Sequence, residues 1–139
     1  MAVKITTRGT SQSVGRFAFN LSDDLTALTL TDAAIQGRAV MIDPTSNDAV
    51  KLATDGAQIL GVIVVSETDM RGDTVVTVDT MGGVEVPVAA GQTATRGLTP
   101  VGAGLGFIKS AASLTNPRIF ISSTQNIGNA VPSVTVMFV

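Results

Sequence analysis

Residues 59–88 read ILGVIVVSETDMRGDTVVTVDTMGGVEVPV, and this stretch decides the fold class. In Val84-Glu85-Val86-Pro87-Val88 the apolar side chains fall on every second position, the period of a strand with one buried face. Within Thr74–Asp79, Val76 and Val78 share one face while Thr77 and Asp79 share the other. Ile59 to Val65 is nearly unbroken apolar sequence, as expected of a strand covered on both faces. Gly72 and the Gly82-Gly83 pair supply the backbone freedom of tight hairpin connections, so three strands joined by two hairpin turns are expected. The most regular pattern in the chain is scaffold. It points to a structural or binding module and away from an enzyme.

On either side the same grammar continues. Arg38-Ala39-Val40-Met41-Ile42 reads as a strand closed by Asp43-Pro44, a turn opener. Arg118 to Ser122 and Val134 to Val139 are further strands, and Val134, Val136 and Phe138 share a face. Ala89 to Gly106 is rich in glycine and small residues and reads as a loop with at most one short strand, with Pro100 arguing against a central one. Ser22-Asp23-Asp24-Leu25 fits a helical turn capped by Ser22 with two acids near its positive end, and the neighbouring Thr residues disfavour a long helix. Short strands at such intervals predict an all-β chain, a small β-barrel or sandwich with an extended N-terminal arm and at most one short helix. Residues 1–20 form the arm or an edge strand, and residues 21–139 a single β domain.

Composition narrows the function. The 139 residues include no His, Cys, Trp or Tyr, and the aromatics are five Phe. Without His the chain lacks the usual acid–base group near neutral pH and the commonest metal ligand. Without Cys there is no thiolate nucleophile, no thiolate metal site and no disulfide, which fits cytosolic expression and assembly. A single-strand or sugar platform of Trp and Tyr cannot be built either. No catalytic residue, cofactor or metal site is expected, and no small-molecule substrate. Net charge is −2, so no global basic field would hold nucleic acid. No apolar run approaches the roughly 20 residues of a membrane span, and MAVKITTRGTSQS has no apolar signal core, so neither membrane nor secretion is expected. Charged residues make up 14% against 45% hydrophobic, a balance suited to a surface covered by partners.

Charge is unevenly spread. Residues 1–20 carry Lys4, Arg8 and Arg16 and no acid, so the rest of the chain carries −5 of the total −2. Lys4, Arg8 and Arg16 would steer this arm to an acidic partner, with Phe17 and Phe19, two apart on one strand face, as its anchor. The plainer reading is an ordinary first strand whose two Phe belong to its own core.

Each remaining chemical motif has a plain counterpart. Arg71-Gly72-Asp73 spells an integrin-type tripeptide but reads as a solvated hairpin tip. Asp43-Pro-Thr-Ser-Asn-Asp48 bunches oxygen ligands yet lacks the Gly and terminal Glu of an EF-hand, so a polar turn is the better account. Lys109 and Ser110 are adjacent and would point to opposite strand faces, a poor nucleophile pair. Gly61-Val62-Ile63 followed by Asp69-Met70-Arg71-Gly72-Asp73 is similar to the hairpin motif of trimeric dUTP diphosphatases. Met70 stands where that family has its stacking Tyr, the spacing is longer, and the Pro-Arg-Ser-Ser segment is absent.

A second resemblance runs from Gly37 to Pro100. Gly37-Arg38-Ala39-Val40, Val50-Lys51-Leu52-Ala53, Ile59-Leu60-Gly61-Val62-Ile63, Arg71-Gly72-Asp73-Thr74-Val75-Val76-Thr77-Val78, Gly83-Val84-Glu85-Val86-Pro87-Val88 and the run Ala89 to Gly97 follow one another. This order resembles the small bacteriophage capsid cement, or decoration, proteins. The resemblance implies a viral structural protein of the virion, a homotrimer bound to the major capsid protein on the capsid outer surface. A head-fibre or host-surface binding module is the alternative.

Overall fold

The computed structural model describes residues 15–126 and 131–139. Ten strands and one helical turn make up its regular structure: β1 (Arg16–Leu21), α1 (Asp32–Ile35), β2 (Ala39–Ile42), β3 (Ala49–Leu52), β4 (Gly61–Thr68), β5 (Thr74–Asp79), β6 (Gly82–Pro87), β7 (Pro100–Gly104), β8 (Phe107–Ser110), β9 (Ile119–Ile121) and β10 (Ser133–Phe138). The all-β expectation holds. Five strands close a barrel in the order β1-β3-β2-β4-β5, β6-β10-β9 form a separate sheet, and β7-β8 a hairpin.

Valine alternation builds two apolar layers. The barrel interior is filled by Leu21, Leu25, Ile35, Val40, Val50, Leu52, Ile63, Val76 and Val78. A second layer joins the barrel's outer wall at Ala39, Ile59 and Val62 to Val86, Val88, Ile108, Ile121, Val134, Val136 and Phe138. The barrel wall is thus covered on both sides where β4 begins, and Gly61, Val62 and Ile63 are all buried. Val65 and Glu67 farther along the same strand are exposed, so only the first half of the apolar run has two covered faces. Val76, Val78, Val86 and Val88 are buried as expected, whereas Val84 is only partly covered against the second layer.

The connections differ from expectation at one point. Gly72 (φ +91°) does turn a hairpin between β4 and β5. The Gly82-Gly83 pair does not: β6 pairs with β10, and the chain crosses at Thr80-Met81 from the barrel to the other sheet. Pro100 opens β7, where its missing N–H costs least; β7 is the one short strand allowed for between Ala89 and Gly106, and β8 follows just beyond that stretch. The helical turn after β1 is capped by Asp24, whose Oδ1 accepts from Thr26 N at 3.0 Å and Ala27 N at 3.2 Å. Ser22 does not cap it. The short helix α1 instead lies at Asp32–Ile35, with Thr31 Oγ1 accepting from Ala34 N at 3.1 Å.

The first strand also departs from a simple arm. Arg16–Asn20 is not free: β1 pairs along its whole length with β5, and at Asn20 and Leu21 with β3 in parallel. It remains an edge over Arg16–Phe19, where no described strand lies on the β3 side. Lys4 and Arg8 lie outside the described residues.

Candidate functional site

Strand direction sorts the barrel into two ends. β1 and β4 start, and β2 and β5 finish, at the same end, because β1 runs parallel to β3 and antiparallel to β5, and β2 antiparallel to both β3 and β4. The opposite end carries the β4–β5 hairpin and the turn after β1.

The hairpin end is acidic and tightly bonded. Asp69 Oδ1 accepts from Arg71 N at 2.8 Å and from Asp73 N at 3.0 Å, which folds the Arg71-Gly72-Asp73 tip around the Asp69 carboxylate. Met70 at the apex is fully exposed. Arg71, Asp73, Asp23 and Asp24 face a polar cleft of about 720 Å³. Much of its chemistry is already committed to the fold. Asp23 Oδ2 accepts from Leu52 N at 2.6 Å, and Asp24 caps its own turn. Among the described residues no three acidic side chains are grouped to hold a metal ion.

The Asp43–Asp48 loop is a structural turn. Asp43 is buried; its Oδ2 accepts from Ser22 Oγ at 2.5 Å, and its Oδ1 from Thr45 N at 2.9 Å and Thr45 Oγ1 at 2.7 Å. These bonds, with Ser22 first, hold the Asp43 carboxyl at a pKa of about 2, and the nearby Lys51 charge adds to them in the same direction. Lys109 and Ser110 do not meet: Lys109 Nζ binds Asp55 Oδ1 at 2.7 Å, while Ser110 Oγ donates to the Thr93 carbonyl at 3.1 Å.

The other end is apolar. Phe17 lies opposite Val78 and Phe19 opposite Val76, so both rings face the barrel interior with those valines. Phe19 packs on the interior cluster, but Phe17 remains 51% exposed beyond the point where β3 begins. Their ring centroids are 6.5 Å apart. Ile42, opposite Val50 and therefore also turned inward, is 60% exposed at the end of β2. It borders an apolar groove of about 410 Å³ with Met41, Pro44 and Leu60. Met81, which lies against Gly15, is 52% exposed at the same end.

Three of the five arm residues named from sequence can therefore be placed. Phe17 and Phe19 share a face, as their spacing requires. Arg16 does not reach for a partner here: its Nε donates to Asp79 Oδ1 at 2.6 Å across the β1–β5 pair. That bond joins residues 63 apart in sequence, and no local pattern marks it. Ile42 and Met81 escaped sequence reasoning because each reads as an ordinary strand or turn residue. Only the direction of the strands brings them to the same barrel end as Phe17.

No family model matches the chain, and none of the curated proteins does.

Proposed function

We propose that this chain is a virion structural protein that binds and stabilises the outside of a bacteriophage capsid. The observation that carries the reading is the apolar barrel end, where Phe17, Ile42 and Met81 lie exposed and where β1 keeps an unfilled edge over Arg16–Phe19. Docking surfaces of this kind combine apolar anchors with free backbone groups. The order of motifs from Gly37 to Pro100 supports it further, since its glycines and valines serve turns and core while its polar residues bind one another. A protein tiled many times on one shell can hold through individually weak contacts. Homotrimer formation and contact with the major capsid protein belong to the same proposal.

The test is electron microscopy of virions with and without the gene for this chain. Extra density on the outer shell that disappears on deletion, with particles that burst at lower temperature, is the expected result. Density at a fibre or tail tip would assign the chain to host attachment instead. Hydrolysis of dUTP with magnesium would overturn both readings, although the fully exposed Met70 offers no aromatic face to a base.

A further inference from the structure

Asp55-Gly56 is the one place in the chain where an aspartate or asparagine directly precedes glycine. The pair sits in the connection between β3 and β4. Ala57 N donates to the Thr54 carbonyl at 3.0 Å and Gly56 takes φ +79°, so the two residues form the centre of a tight turn. Glycine meets the positive φ there, and a Cβ at Gly56 would meet open space. The same missing side chain leaves the Gly56 nitrogen unshielded from the carboxyl group of the residue before it. An aspartyl-glycine pair is the least hindered setting for closure of a five-membered imide.

Two bonds from the β7–β8 hairpin oppose that closure. Gly56 N donates to the Gly102 carbonyl at 2.8 Å, which holds the proton that the nitrogen must lose. Lys109 Nζ binds Asp55 Oδ1 at 2.7 Å, so the direction of the carboxylate is set from β8. Gly102 N donates in turn to the Ala57 carbonyl at 2.9 Å, and a Cβ on Gly102 would overlap the Thr54 carbonyl. Turn and β7 are therefore in close contact. The Asp55 side chain is nonetheless 75% exposed, within reach of water.

We propose that Asp55-Gly56 is a latent modification site, where an imide forms and reopens as a β-aspartyl linkage, and that Gly102 and Lys109 keep it shut in the folded chain. In the first step the Gly56 nitrogen bonds to Asp55 Cγ, and the amide proton leaves with the hydroxyl of the protonated carboxyl as water. In the second, water adds to the main-chain carbonyl carbon of Asp55. The bond from that carbon to the Gly56 nitrogen breaks, and the chain then runs through the side-chain carbonyl. Water lost in the first step is regained in the second, and no other reactant is used. The product carries one extra backbone carbon between residues whose neighbours both bond to Gly102, so the turn loses its register with β7. Because the restraints are contacts of the fold, the reaction follows local opening of the turn or global unfolding. It goes beyond the capsid reading and does not depend on it.

The test incubates the full chain for weeks near neutral pH, folded and in denaturant, in heavy-oxygen water. Mass spectrometry of the peptide spanning Asp55 counts each hydrolysis by its label, and electron-transfer fragmentation separates β-aspartyl from ordinary linkage. β-Aspartyl product at Asp55 is expected in denaturant, with formation many-fold slower in the folded chain. Lys109→Met should speed the folded reaction several-fold and leave the rate in denaturant unchanged. Lys109→Arg, which keeps the ion pair, should restore the slow rate, and this separates loss of the bond from a general loss of stability. Asp55→Glu, which would need a six-membered ring, should stop the reaction in both states. Equal rates in the folded chain and in denaturant, or no β-aspartyl product in denaturant, would overturn the proposal. So would a folded Lys109→Met rate equal to the parent's, or a Lys109→Arg rate equal to that of Lys109→Met.

Discussion

Asp23 Oδ2 accepts the backbone N–H of Leu52 at 2.6 Å, so a side chain beyond the end of β1 closes the ladder where β3 outruns it. Leu52 is buried, and removing the carboxylate takes away the partner of its N–H. Asp23→Ala should cost about 1–3 kcal/mol in chemical denaturation. Asp23→Asn keeps an acceptor oxygen and should lose less.

Asp43 makes stability depend on acid. Its folded pKa of about 2 lies below the ordinary carboxylate value, so the unfolded chain binds the proton more readily. The stabilisation is complete above about pH 4, the unfolded value, and falls away as pH drops toward 2. Ser22→Ala removes the largest contributor and should raise the folded pKa. Denaturation curves from pH 2 to 7 should then show the variant weaker near neutrality and converging on the parent in acid.

Gly61 is confined by its neighbours. A Cβ there would overlap the Asp79 carbonyl and stand 2.6 Å from Val78 Cγ1. Gly61→Ala should therefore push β4 off β5 and cost about 1–3 kcal/mol or more. Gly72→Ala meets open space and pays only for its left-handed backbone, roughly 1–2 kcal/mol. A larger drop in melting temperature for Gly61→Ala than for Gly72→Ala is the expected order.

Val86 links the outer sheet to the barrel wall. Truncation to Ala should cost about 1–3 kcal/mol, because the pocket is walled by two sheets and collapses poorly. Val84→Ala, on a partly exposed neighbour, should cost clearly less.

Alternation made much of the framework legible. Val76 and Val78, and Val134, Val136 and Phe138, are buried on the faces their spacing assigns. Gly82-Gly83 misled because the same pair that permits a hairpin also permits the chain to change sheets, and only the partner strand, β10, decides between them. Phe107–Ser110 carries no clean alternation and gains its strand from pairing with β7. At the apolar barrel end, the Phe17 and Phe19 spacing was readable. The pairing of Arg16 with Asp79 was not, since that contact depends on closure of the whole barrel.

The order of the strands has a consequence for synthesis. The barrel strands occupy one continuous run, Arg16 to Asp79, whereas the outer sheet has β10 at its centre, between β6 and β9, and β10 follows both in the chain. A ribosome therefore releases every part of the barrel before the outer sheet can begin to pair. During that interval the layer over Ala39, Ile59 and Val62 lacks Val134, Val136 and Phe138. The nascent chain carries an incompletely covered apolar wall until Ser133–Phe138 arrives, so a stall in translation ahead of β10 would leave a closed barrel prone to stick to its neighbours.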